Sequence, residues 1–79
     1  MNKGGLKMEH VLLKIKQIRV SKGLTQQDMA NSMGYKSKSG YCQLEKGEVK
    51  LTLDKIELIA NVLEVDPQIL LSDYKTNAS

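Results

Sequence analysis

Residues 23–47 read GLTQQDMANSMGYKSKSGYCQLEKG, and their punctuation decides how the rest of the chain is parsed. Thr25 is a good helix N-cap, because its hydroxyl accepts a bond from an amide that the first turn leaves unpaired. Asp28, three positions on, resembles the second half of a capping box, with Asp in place of the usual Glu. Leu24 before the cap and Met29 at the fourth helical position are spaced as a hydrophobic staple. Met29, Ala30 and Met33 then make a buried stripe, and Gly34 stops the helix after barely two turns. The next helix is expected from Ser37, as N-cap, to about Glu45. Its apolar content is Tyr41 and Leu44, so only one narrow side faces a core. The remaining surface, Lys38, Ser39, Gly40 and Gln43, is either merely exposed or serves something other than packing.

Working outward, His10–Lys22 sets Val11, Ile15 and Ile18 at helical spacing with lysines between them, and Gly23 ends that helix. Lys46 to Leu51 reads as a loop, after which Thr52 caps a fourth helix. There Ile56, Ile59, Ala60 and Leu63 follow the i, i+3, i+4, i+7 pattern of one buried face. Asp66-Pro67 starts a short fifth helix, with Asp as N-cap and Pro at the first position, and Ile69 and Leu70 inside it. The expectation is an all-α, five-helix domain over residues 10–72. A flexible basic segment over 1–9 precedes it, and a disordered tail over 73–79 follows.

Composition agrees with helices. Phe and Trp are absent and three tyrosines occur, so the core is aliphatic, and the single Pro and few β-branched runs argue against a sheet. Seventy-nine residues make one small domain with little surface to spare for a second function. One cysteine, Cys42, gives no internal disulfide and no metal-ligand set, which suits a reducing compartment. No apolar run approaches the roughly 18 residues that span a bilayer, and the polar N-terminus lacks a signal-peptide stretch. A cytoplasmic protein is expected. Lys3, Lys7, Lys14, Lys16, Arg19 and Lys22 stand against Glu9 alone in residues 1–23, a balance of +5, whereas residues 24–50 carry +1 and 51–79 carry −3. A basic front and an acidic back suit a protein that lays one side on a polyanion, although charge runs are more often solvated faces.

A two-turn helix, a Gly-containing turn and a second helix with a polar exposed side is the layout of a helix-turn-helix. GLTQQDMANSMGY, then LEKG ten residues after Gly34, then LDKIELIANVLEVDPQILL resemble the lambda-repressor and Cro-like (XRE-type) family of DNA-binding domains. The resemblance covers about residues 11–71. It implies a structural ion pair between Arg19 on the first helix and Glu45 at the end of the third, where a guanidinium forks onto a carboxylate. It also implies a phosphate contact near the N-terminus of the second helix, through Thr25 and Gln26, with Gln26 bracing the third helix. The third helix becomes the recognition helix in the major groove, with Ser37, Lys38, Ser39, Gly40 and Gln43 as base-reading candidates. Lys36, Lys46 and Lys50 flank it as phosphate candidates. Each of these polar residues, taken singly, also reads as an ordinary solvated side chain.

One departure from the family pattern falls in this region. Gly34 to Glu45 is one residue longer than usual, so the extra residue lies in YKSKSG and either lengthens the turn or shifts the start of helix three. Gly40, unfavourable inside a helix by about 1 kcal/mol relative to Ala, either permits close approach to a DNA backbone or accommodates the insertion. Tyr35 and Tyr41 read as core plugs, and Cys42 as a partly buried small side chain.

The resemblance implies a sequence-specific binder of double-stranded DNA. It would act as a small transcriptional regulator, a repressor, on an inverted-repeat operator with half-sites about 34 Å apart. A homodimer is implied, joined through whichever apolar residues among Leu51, Leu58, Val62, Ile69 and Leu71 the core does not need. The competing reading is a protein-interaction module of the same fold, such as an antitoxin or a phage adaptor. In that case helices four and five would hold a protein partner. A membrane-surface role for the first helix fails, because Val11, Ile15 and Ile18 are needed in the core. No nucleophile–base pair, paired carboxylates or phosphate loop occurs and His10 has no ligand partners, so neither enzyme activity, cofactor nor metal is expected.

Overall fold

A computed structural model describes residues 8–71 as five helices. They are α1 (Met8–Ser21), α2 (Gln26–Met33), α3 (Lys38–Glu45), α4 (Leu53–Leu63) and α5 (Pro67–Leu71). The expected segments 1–9 and 73–79 lie outside the described residues, except that α1 takes in Met8 and Glu9. The helix therefore begins two residues before His10. No breaker separates these positions, and Glu9 in the first turn favours the positive end of the helix dipole.

The local signals act where they occur in the sequence. Thr25 caps α2 by accepting from the Asp28 amide at 3.0 Å, while the Asp28 carboxylate accepts from the Thr25 amide at 2.8 Å. Thr52 accepts from the Lys55 amide at the start of α4, and Asp66 accepts from the Gln68 amide at the start of α5. At the other end of α2, Gly34 takes φ +86°, and the Tyr35 amide donates back to the Ala30 carbonyl at 2.9 Å. The end of α4 has the same geometry, with Val65 donating to the Ala60 carbonyl, but the left-handed residue there is Glu64 at φ +61°. A side chain in that region costs about 1–2 kcal/mol, partly offset by the entropy a glycine adds to the unfolded chain. Glu64→Gly should therefore raise stability by about 0.5–1 kcal/mol in urea unfolding; a loss would show that the Glu64 side chain does something the cap geometry does not require.

The core draws on every helix. Val11 and Ile15 of α1, Met29 and Ala30 of α2, and Tyr41 and Leu44 of α3 close on Ile56, Ile59, Ala60 and Leu63 of α4 and Leu70 of α5. Ile18 and Met33 are half-buried at its edge. α2 packs on α3 and α4, while α1 reaches α3, α4 and α5. Leu51, one of the apolar candidates for an intersubunit surface, is 7% exposed and needed in this core. It sits in the α3–α4 connection, where helical periodicity gives no guide to which way a side chain turns. Val62 and Leu71 are also packed against the core, which leaves Leu58 and Ile69, 40% and 44% exposed, joined by Leu53 at 65%. Among the described residues no helix is long and apolar enough to cross a membrane.

Candidate nucleic-acid interface

α2 and α3 are joined by the four-residue turn Gly34–Ser37 and lie side by side. α3 turns Tyr41 and Leu44 fully into the core, and Lys38, Ser39 and Gln43 point to solvent. Ser37, in extended backbone, occupies the N-cap position, yet its hydroxyl pairs with the Ser39 hydroxyl at 3.0 Å and makes no cap bond to the backbone. Lys36, Lys46 and Lys50 are exposed in the segments just before and after α3. The structure thus brings Lys36, Ser37, Lys38, Ser39, Gln43 and Lys46 onto or beside one helix, with Thr25 exposed at the start of α2.

Gly40 stands apart from that group. It is half-buried, and a Cβ added there would lie 2.8 Å from Cδ1 of Tyr35 and 3.1 Å from its Cγ. The missing side chain makes room for the Tyr35 ring, which folds back from the turn onto the first turn of α3. Tyr35 itself is half-buried against the core.

Behind the exposed side lies a polar network centred on Glu45. Arg19 Nε donates to Glu45 Oε2 at 2.7 Å and Nη2 donates to Oε1 at 3.3 Å, while Nη1 donates to the Leu24 carbonyl at 2.8 Å. The guanidinium is 8% exposed as a residue, so α1 is tied to the end of α3 within the protein and not across open solvent. Two further donors converge on the same carboxylate, Tyr41 Oη at 2.6 Å and Gln26 Nε2 at 3.0 Å. Cys42 Sγ completes the set by donating to Gln26 Oε1 at 3.0 Å. Gln26 is accordingly held by both ends of its amide, and α2 and α3 are locked at their contact. Tyr41 read in the sequence as a core plug and Cys42 as a small filler; the thiol's partner Gln26 lies on α2, whereas the hydroxyl's partner Glu45 is four residues along the same helix, a spacing that offered the contact.

Electrostatics follow from this wiring. Burial alone pushes the Glu45 carboxyl up, but the hydrogen bonds from Arg19, Tyr41 and Gln26, with the Arg19 charge, outweigh it and hold the group below its ordinary range. Burial, and then the bond to Glu45, pushes the Tyr41 phenol well above its usual value. The Arg19 guanidinium is held charged chiefly by its bond to Glu45, against the cost of burial. Because the folded value of Glu45 lies below its unfolded value of about 4.3, its stabilisation is complete above that pH and is lost as pH falls through the folded value. The urea midpoint should drop on acidification below about pH 4, and less steeply in Glu45→Gln. Parallel curves for the two proteins would show that the carboxylate is not the group responsible.

A helix-turn-helix family model matches residues 15–70. The chain belongs to that family, in the lambda-repressor and Cro-like branch that its motifs resemble. It is 36% identical over 64 residues to the cryptic phage CTXphi transcriptional repressor RstR of Vibrio cholerae, a match spanning 81% of this chain and 57% of that protein. The chain thus spans little more than half the length of that relative. Two solved structures share the fold. The restriction-modification controller protein C.AhdI from Aeromonas hydrophila superposes with TM-score 0.67 at 27% identity, over 76% of this chain and 86% of its own. The hypothetical transcription factor NHTF from Neisseria superposes with TM-score 0.71 at 25% identity, over 90% of this chain and 86% of its own.

Proposed function

We propose that this protein is a sequence-specific binder of double-stranded DNA that acts as a small transcriptional repressor. It places α3 in the major groove and works as a homodimer on an inverted repeat, without enzymatic activity. The observation that carries this reading is the division of α3, whose Tyr41 and Leu44 anchor it while Lys38, Ser39 and Gln43 stand exposed on its outer side. Lys donates to guanine O6 and N7, Gln pairs with adenine N6 and N7, and Ser accepts either partner. Lys36, Lys46 and Lys50 supply phosphate contacts that fix position without reading sequence. Similarity to a phage repressor and to two bacterial regulators points the same way. Leu53, Leu58 and Ile69, exposed on α4 and α5, provide apolar surface for the second copy.

Selection from random duplex oligonucleotides should enrich a short inverted repeat, and negligible binding to any duplex at low salt would defeat the proposal. On the enriched site, Lys38→Ala should alter base preference at one position of each half-site by about 1–3 kcal/mol of discrimination. Lys46→Ala should instead weaken all sequences about equally. If the two variants behave identically in a competition binding assay, the division between reading and positioning residues is wrong.

A further inference from the structure

The end of α3 that would meet DNA first is also the end that the protein holds least. Among the described residues, α3 has no buried side chain before Tyr41. Ser37 makes no side-chain cap bond, and Lys36, Ser37, Lys38 and Ser39 are all exposed. The C-terminal half is fixed several times over, by Tyr41 and Leu44 in the core and by Glu45 and Cys42 in the network with Arg19 and Gln26. Against the N-terminal half lies the Tyr35 ring, where a Gly40 side chain would be.

We infer that Tyr35 and Gly40 form a positioning pair that sets which side chains of α3 face the bases, and so govern sequence discrimination more than affinity. The inference rests on α3 being the DNA-reading helix. Its physical basis is lever-like. α3 is eight residues long, and with its C-terminal half anchored its first turn is steered by whatever fills the space beside Gly40. Ring and glycine are five residues apart, one in the α2–α3 turn and one in the first turn of α3, so the connection is braced by packing. Glycine at 40 costs helix propensity; the ring seated over it returns the rigidity that glycine removes. Phosphate contacts by Lys36, Lys46 and Lys50 tolerate small rotations of α3, whereas bidentate base contacts do not.

The test compares wild type, Tyr35→Ala, Tyr35→Phe and Gly40→Ala by fluorescence anisotropy on two duplexes, the sequence selected by the wild type and its scramble, with circular dichroism confirming helix content. Tyr35→Ala should lower the ratio of selected to scrambled affinity by about tenfold or more, the scale of one or two lost base contacts. Binding to the scramble should change by less than about threefold, since phosphate contacts survive. Tyr35→Phe keeps the ring and should keep the ratio. Gly40→Ala, which displaces the ring while favouring the helix, should lose the ratio as Tyr35→Ala does, so the idea stays testable if one variant folds poorly. A purely structural role would lower the melting temperature and leave the ratio intact, and that result in both Tyr35→Ala and Gly40→Ala overturns the inference while leaving DNA reading in place. If the wild type selects no sequence, the proposed function fails first and this inference fails with it.

Discussion

Replacing Glu45 with alanine should cost about 3–5 kcal/mol of stability, the range for removing one partner of a buried ion pair. The loss exceeds that of a surface pair because the carboxylate serves more than Arg19. Tyr41 Oη and Gln26 Nε2 donate to it as well, and each neutral donor left unpaired costs about 1–3 kcal/mol of its own. These terms overlap, since a collapsing site admits water, so they are not summed. A domain of this size has about 4–12 kcal/mol in all, so the alanine variant should lose at least about a quarter of its stability, and all of it at the low end of that range. Arg19→Met leaves the carboxylate with two donors and should cost less. Combining Arg19→Met with Glu45→Gln, which keeps an acceptor for Tyr41, should cost less than the two single changes added together, by about 1–3 kcal/mol of coupling. Urea unfolding of the four proteins closes the cycle. A Glu45→Ala effect below about 1 kcal/mol would place the pair with exposed ion pairs and would contradict the buried network.

Why some of this was legible in the sequence and some was not follows from the range over which each signal acts. Caps are local: Thr25 with Asp28, Thr52, and Asp66 before Pro67 each satisfy amides within three residues, so spacing alone suffices. The apolar stripe of α4 is equally local, as a helix that buries one face repeats every few residues. Glu45 and Arg19 are 26 residues apart and no periodicity joins them; only the family resemblance suggested that pair. The resemblance also set Gln26 against the third helix, whereas the thiol of Cys42 had no such guide. Tyr35 and Gly40 illustrate the remaining gap. Across an irregular turn neither the helical nor the strand period tells where a ring lands, and the glycine offered two meanings until the ring was seen to fill its place. Leu51 was left open between core and surface for the same reason, being an apolar residue in a connection without periodicity. In this chain, then, pattern determines the elements, and contacts across turns determine how α3 is held against them.

Affinity for the selected duplex should fall about a thousandfold between 50 and 200 mM monovalent salt. The figure comes from counting cations. Lys36, Lys46 and Lys50 are exposed next to α3, and a dimer doubles them to about six phosphate contacts. Each contact releases condensed counterions, so the logarithm of affinity falls against the logarithm of salt with a slope near −0.9 per contact, or about −5 in total. Changing all three lysines to alanine should bring the slope close to zero and leave only weak binding at low salt. Base discrimination, measured at a salt where both proteins still bind, should change little, because those lysines position the protein and do not read it. This separates the proposed function from its competitor. A protein-interaction module of the same fold gains nothing from cations beside α3, and would show weak duplex binding with no slope to lose. A slope that is steep in the wild type and unchanged in the triple variant would move the phosphate-binding surface away from α3, most simply to Lys14, Lys16 and Lys22 on and just after α1, and with it the face that meets DNA.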